Sequence, residues 1–436
     1  MIRHARSAGL LAAVAMVATV MPVAAQSPAA APVSFQLWTK EGLADGSLDF
    51  VNKMATEYTA AHPNVTITVV NKDVEKLRQD FQTTSLAGQA PELLWTVSDH
   101  VGPFTTANLI LPVDSLPGVD MTAYLPNALQ SVQLDGKTWG LPISFGNNLM
   151  LYTNKDLIPD CPADSAAWIA AAKAVTSNGN YGLAYDQTQS FWLVPFLGAF
   201  GGSVFAADGI TATLNTPAMV SALTFLKGLK FTDQIVPTEA DYSVADGMFK
   251  NGAPGATTSP AASLAPSATP PPTGVAASII NGDWTVGAYA KLFGDKLNIC
   301  PIPQITGADW PKPYVAGTYL MFSKALANDP AKEAAVIDFA NFVTGNAQQL
   351  DMVKTLARLP GTNAAFNDPA VTGDPVLAKV AAAAAKGVGT PGNLEMRCVF
   401  DAMTTGIKTI YKSADADPAA VAAQMQDDYS NDAACQ

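Results

Sequence analysis

Residues 33–39, Val-Ser-Phe-Gln-Leu-Trp-Thr, alternate apolar and polar side chains. A period of two places one set on each face of a pleated strand. The period then lengthens: Phe50, Val51, Met54 and Tyr58 recur at helical spacing over 49–61, before His62-Pro63-Asn64 breaks the run. Residues 65–70, Val-Thr-Ile-Thr-Val-Val, alternate again. A second helix is expected over 74–86, and Leu93-Leu94-Trp95 reads as a short buried strand. Strand, helix, strand, helix, strand in that order predicts a parallel sheet with helices on both faces, an α/β fold.

Further along, Asp135-Gly136 marks the turn of a hairpin over 132–140. A strand follows at 149–154. Helices are expected over 164–176, 190–200, 217–229, 331–343, 378–386, 401–412 and 418–428. The start at 331 is the best marked, with Asp329 placed to cap the helix and Pro330 suited to its first position. Residues 252–274 differ from everything else. They are Ala, Pro, Ser, Thr and Gly with Leu264 as the one large side chain, so they have almost nothing to bury and are expected to form a disordered surface insertion.

The start of the chain sets the compartment. Arg3, His4 and Arg6 precede an apolar run over 9–20, and Val23-Ala24-Ala25 offers the small residues that a signal peptidase reads. This is the pattern of a secretory signal peptide over 1–25, too short for a permanent span. Residues 26–32 read as a flexible lead-in. No Cys follows the small residues, so a lipid anchor is not expected, and the mature protein is expected in the periplasm or outside the cell. No later apolar run reaches the roughly 18 residues of a membrane helix, which predicts a soluble chain, expected to be a monomer.

Removing the leader takes away two arginines, so the net charge moves from −12 to −14. An acidic chain without a basic block is a poor partner for nucleic acid or anionic lipid. The four cysteines, Cys161, Cys300, Cys398 and Cys435, suggest two disulfides in an oxidising compartment, with three pairings open. Cys161 with Cys300 and Cys398 with Cys435 is the pairing favoured. Their wide spacing, without CxxC, argues against a zinc site.

Several short motifs then occur in a telling order. Pro91-Glu-Leu-Leu-Trp95, Asp135-Gly-Lys-Thr-Trp-Gly-Leu-Pro142, Leu151-Tyr-Thr-Asn-Lys-Asp-Leu157 and Ile279-Ile-Asn-Gly-Asp-Trp284 come first. Gly317-Thr-Tyr-Leu-Met-Phe-Ser-Lys-Ala325, Asp338-Phe-Ala-Asn-Phe342, Leu359-Pro360 and Pro391-Gly-Asn393 complete the series. In this order, across roughly 33–412, they resemble the extracellular solute-binding proteins of ABC importers, in the maltose-binding-like sugar-binding family (family 1). Two features depart from that family: the insertion at 252–274, and the lack of an acidic residue over 144–148.

The resemblance implies a two-lobed periplasmic-binding-protein fold of type II, with hinge-crossing strands and the ligand in a cleft between the lobes. Lobe 1 would hold 33–142 and 299–358, and lobe 2 would hold 143–298 and 359–436. It also implies capture of a carbohydrate, an oligosaccharide, for delivery to the transmembrane subunits of an ABC permease. Neither a metal nor a cofactor is implied.

A sugar has apolar C–H faces that stack on aromatic rings, and hydroxyls that seek paired or charged hydrogen-bond partners. Aromatic and polar residues therefore matter where they sit together past strand ends. Such sets are Trp38, Lys40 and Glu41; Trp95 and Asp99; Asn147; and Asp283 and Trp284, with Gln189, Phe191 and Trp192 at an expected helix start and Arg397 and Asp401 in the closing segment. Trp284 and Asp99 are the best placed. Trp38, Trp95 and Trp192 fit core packing nearly as well.

Enzyme readings find little support. The mature chain has two histidines, His62 and His100, and no GxSxG, HExxH or phosphate-binding glycine loop. A glycoside hydrolase using two carboxylates, Glu41 with Asp99, is the enzymatic alternative. A ligand-loaded sensor that docks on a receptor is the other.

Overall fold

A computed structural model describes Met1 and residues 31–432, apart from Ala44 and 256–273. The signal peptide, most of the lead-in and the bulk of the Pro/Ala/Ser/Thr-rich insertion lie outside the described residues.

Two sheets organise the chain. In the first, the strand order is Val65–Asn71, Val33–Thr39, Leu93–Val97, Thr318–Ser323, Ile110–Leu111. Its first three strands run parallel, as the alternating pattern predicts. Thr318–Ser323 then enters antiparallel beside Leu93–Val97, and Leu141–Pro142 pairs along it as well. The sheet is thus mixed. A strand from the C-terminal half completes a sheet begun at the N-terminus.

The side-chain alternation sorts its two faces. Phe35, Leu37, Trp95, Leu320 and Phe322 pack with Phe50, Met54 and Phe339 from the helices Ser47–Ala61 and Pro330–Val343. Trp38, Leu94, Tyr319 and Met321 face the other way, onto Leu77, Phe81 and Phe104. Side chains of this size contribute about 1.5–3 kcal/mol each when fully buried.

The second sheet has three strands, with Leu149–Asn154 between Ser278–Gly282 and Leu297–Cys300, all antiparallel. Leu149, Leu151 and Ile280 pack on Trp168, Leu193 and Phe196. Met150, Tyr152 and Ile279 pack on Phe249, Tyr289 and Phe293. Leu297–Cys300 pairs along its whole length here, so a lobe boundary at 299 would divide a strand.

Three passages of chain link the two sheets. The first runs from Leu141–Pro142 through Ser144–Phe145 into Leu149–Asn154. The second leaves Cys300 and reaches Thr318 through a bridge between Ala316 and Gly146. The third is Leu359–Pro360, which pairs antiparallel with Ser144–Phe145. The passages lie side by side, and Ser144 Oγ and Thr318 Oγ1 share a hydrogen bond at 2.9 Å.

Helix starts follow local chemistry. Asp164, Asp241, Asp329 and Asp417 each accept a backbone N–H from the first turn of their helix, a cap worth about 1 kcal/mol. The favoured pairing Cys161–Cys300 is formed, closing a sequence separation of 139 residues. Cys398 is also disulfide-bonded; Cys435 lies outside the described residues.

Candidate functional site

The chain leaves the C-terminal end of Val33–Thr39 as Lys40-Glu41, beside the crossing passages. Glu41 is buried, and its amide N–H donates to Thr39 Oγ1 at 3.1 Å. Its carboxylate accepts from Trp95 Nε1 at 3.1 Å and from Arg358 Nη1 at 3.0 Å. Arg358 also donates to Asp45 Oδ2 at 3.2 Å, and Lys40 Nζ lies 3.4 Å from Glu41. Burial alone would raise the Glu41 carboxyl, but Arg358 and Lys40 outweigh it and lower it to about 2. The Arg358 guanidinium is likewise disfavoured by burial and held charged by Glu41, Asp45 and Asp283.

Arg358 owes its place to a sharp junction. Helix Asn346–Leu356 ends at Ala357, which adopts a left-handed conformation with φ 52°, and the chain turns at once into Leu359–Pro360. The side chain before that strand is thereby directed into the space between the sheets.

The opposite side is built by 146–148 and 282–284. Gly146 has φ 140°, and a Cβ there would sit 2.1 Å from Asp283 Oδ2, so only glycine admits this approach. Asn147 follows in the left-handed region, with φ 51°. The backbone N–H groups of Asn147 and Asn148 favour the charged form of the Asp283 carboxyl. Even so, burial dominates and pushes Asp283 up to about 6, against Arg358 and Lys40, which favour the charged form. The Asn148 amide is fully buried and has no hydrogen-bond partner among the described residues.

Trp284 stands beside Asp283. A Cβ on Gly282 would meet its ring at 2.0 Å, so the indole lies directly over that backbone. Its Nε1 donates to Tyr242 Oη at 2.9 Å, and Phe191 lies 6.4 Å away, centroid to centroid. Lys40, Ser144, Asn147, Asp283, Trp284, Thr318 and Arg358 together line one cleft between the two sheets. It offers a partly exposed aromatic ring, a carboxyl, two cations and amide and hydroxyl groups. This set can stack on an apolar ring face and pair with hydroxyls, and it contains no nucleophile with a partnered base.

A family model described as a bacterial extracellular solute-binding protein matches residues 53–379. The chain belongs to that family. Its members bind solutes, and this solute-binding protein is not an enzyme. Among curated relatives it is similar to a maltotriose-binding protein of Pyrococcus abyssi, 24% identical over 84% of this chain and 75% of the relative. A galactooligosaccharide-binding protein of Bacillus subtilis is 22% identical over 86% of this chain and 83% of the relative. Among solved structures, the maltose/maltodextrin-binding domain of Bdellovibrio bacteriovorus bound to maltotriose superposes with a TM-score of 0.81 at 28% identity. That match covers 91% of this chain and 98% of the other. The maltotriose-binding protein of Thermus thermophilus gives 0.78 at 22% identity, with 91% and 98% covered. The fold is the two-lobed α/β fold of periplasmic binding proteins, each sheet with its helices forming one lobe.

In this solute-binding protein, four residues expected from the sequence meet in the cleft: Lys40, Asn147, Asp283 and Trp284. Glu41 stands behind Lys40, engaged by Arg358 and Trp95. Phe191 is half-buried against Trp284, and Gln189 is exposed at the start of the same turn. Trp38, Trp95 and Trp192 are core residues rather than cleft walls. Trp38 lies under Lys72, whose Nζ is 4.2 Å from the ring. Trp95 packs edge-on against Phe50, and Trp192 Nε1 donates to Ile280 O at 2.9 Å.

Arg397 and Asp401 lie elsewhere and pair with each other on helix Glu395–Ile410, while Arg397 Nη1 also donates to Glu75 Oε1 of the other lobe at 2.8 Å. Asp99 belongs to this second group. Burial raises its carboxyl, and Arg397 opposes the rise. Lys40 acts on both carboxyls, but the main opposing cation is Arg358 for Glu41 and Arg397 for Asp99. With its carboxylate bound by Arg358 and held ionised, Glu41 is no proton donor. His100 is fully buried, with Nδ1 2.8 Å from Thr96 Oγ1, and burial lowers it to about 3.

Sequence reasoning did not single out Arg358, Asp45, Ser144, Thr318 or Tyr242. The one signal for Arg358 was a basic side chain directly before Leu359-Pro360.

Proposed function

We propose that this chain captures a carbohydrate, an oligosaccharide, between its lobes and delivers it to the membrane subunits of an ABC importer. The observation that carries the reading is the cleft itself. A partly exposed indole, Trp284, stands beside the buried carboxyl of Asp283 and faces Lys40, Asn147 and Arg358 across the crossing strands. Stacking on a sugar face and paired hydrogen bonds to its hydroxyls use this set completely. Relatives named for maltotriose and galactooligosaccharide binding support the same class of solute.

The extracellular family and the leader-like start support a periplasmic or extracellular site of action. Among the described residues no helix is long and apolar enough to cross a membrane. We take the mature chain to be a soluble monomer. The lobes are Val33–Pro142 with the later sheet-1 segments, and the intervening and C-terminal segments, with closure as a hinge motion about the three passages.

The test is thermal unfolding of the mature protein against mono- and oligosaccharides, glycerol phosphodiesters and polyamines. A ligand at about 100 times its dissociation constant stabilises the folded state by about 2.7 kcal/mol, a readily measured shift. A shift with one sugar class, and that sugar recovered intact, is the expected result. Shortened sugar would turn the reading to a glycoside hydrolase. A shift with a non-sugar solute alone would leave capture standing and remove the carbohydrate.

A further inference from the structure

Behind the cleft tryptophan lies a chain of polar contacts that no ligand-binding role explains. Trp284 Nε1 donates to Tyr242 Oη at 2.9 Å. Tyr242 opens helix Tyr242–Lys250, whose N-cap Asp241 accepts from Val244 N. The same helix carries Asp246, which accepts from Tyr289 Oη at 2.7 Å and pairs with Lys250 at 2.7 Å. Tyr289 Oη in turn accepts from Asn281 Nδ2 at 2.9 Å, and Asn281 Oδ1 accepts from Gly282 N at 2.8 Å. The strand end that bears Trp284 and the helix start that bears Tyr242 are therefore fixed to each other twice. One link runs through the indole, and the other through Asn281, Tyr289 and Asp246.

We propose that Tyr242 is a positioning residue that sets the plane of the Trp284 ring for stacking on solute, and this rests on the cleft being the solute site. Tyr242 is not among the cleft-lining residues. It acts on the ring's one polar atom, from the edge, and packs edge-on against Trp192 at 6.3 Å. Gly282 supports the ring from beneath, where any Cβ would collide with it. An indole has two side-chain torsions. Packing over Gly282 limits how far the ring can sink, and the hydrogen bond to Tyr242 fixes its rotation. Face-to-face stacking on a sugar requires a defined ring plane. A ring ordered before binding also spares the complex the entropy of ordering it.

The test compares Y242F, W284F and the double variant with the parent protein. Y242F keeps the aromatic ring and removes one oxygen, so the fold is retained. First, the indole N–H signal of Trp284, assigned as the one absent in W284F, is recorded by NMR without ligand. In Y242F that signal is expected to shift and exchange faster with water, while the five indoles that do not touch Tyr242 stay in place. An unmoved signal overturns the proposal.

Second, affinity for maltotriose is measured by calorimetry. Y242F is expected to weaken binding about two- to tenfold when Trp284 is present and to have no effect in the W284F background, since the phenol acts only through the indole. An equal loss in both backgrounds, or no loss in either, overturns it. If the parent binds neither maltotriose nor any other sugar of the panel, the carbohydrate reading fails. The indole signal still decides whether Tyr242 holds the ring.

Discussion

Asp283 is the residue whose chemistry is most exposed to test. Its ordinary value is 3.8 and burial pushes it up to about 6. Between those values the folded protein holds a proton that the unfolded chain has released. Its contribution to stability is therefore greatest below pH 3.8 and is lost as pH rises through 6, by up to roughly 3 kcal/mol. Ligand-free D283N, uncharged throughout, should melt above the parent at pH 8, with the gap closing towards pH 4 in a pH series of melts. Glu41 has the opposite sense: lowered to about 2, it contributes above 4.5 and loses that contribution as pH falls through 2. Removing Arg358 leaves buried Glu41 and half-buried Asp45 without their guanidinium partner. R358M should therefore cost about 3–5 kcal/mol in urea denaturation. R397M, whose partners Glu75 and Asp401 are half-buried and exposed, should cost less than R358M, about 1 kcal/mol.

The sequence made Asp283 and Trp284 legible because an Asn-Gly pair ends an apolar strand just before them. Trp38 and Trp95 also lie on apolar strands yet sit in the core, since a strand aromatic buries as readily in a sheet face as in a cleft, and Trp192, at a helix start, is buried as well. Arg358 was invisible for a different reason: it sits at a helix-to-strand junction where no periodic pattern runs, and its partners are more than 300 residues away.

At the scale of elements, the alternating and helical periods located Val33–Thr39, Val65–Asn71, Val74–Leu86 and Pro330–Val343 closely. Helices without a side-chain cap at their start were harder. Asn346–Leu356 and Val286–Phe293 were not expected at all, and Glu395–Ile410 begins six residues before the expected start at 401. The antiparallel entry of Thr318–Ser323 into a parallel sheet is a long-range fact that local period cannot carry. The disulfide acts at this scale too, tying the loop after Leu149–Asn154 to the end of Leu297–Cys300. Removing a link that closes so long a loop should cost about 2–5 kcal/mol. The paired C161S/C300S variant should show this as a lower midpoint in chemical denaturation, without loss of the second sheet.

At the scale of the molecule, the lobes touch through backbone as well as charge. A Cβ at Gly102 would lie 2.3 Å from the backbone of Asn393 and Leu394 in the facing lobe. G102A should therefore hold the lobes apart. Its radius of gyration in solution scattering should stay above that of the parent when solute is added, and its affinity should fall although residue 102 does not line the cleft.

The place of Thr318–Ser323 within the first sheet has a further consequence, for the order in which the protein comes into being. A chain made from its N-terminus presents Leu93–Val97 long before Thr318–Ser323 exists to cover its edge. Until then the first lobe is an unfinished sheet with an open side, and pairings so distant along the chain form slowly. The polypeptide is thus kept from locking into its final shape while most of it is still being synthesised, and the proposed site of action outside the cytoplasm would make use of that delay.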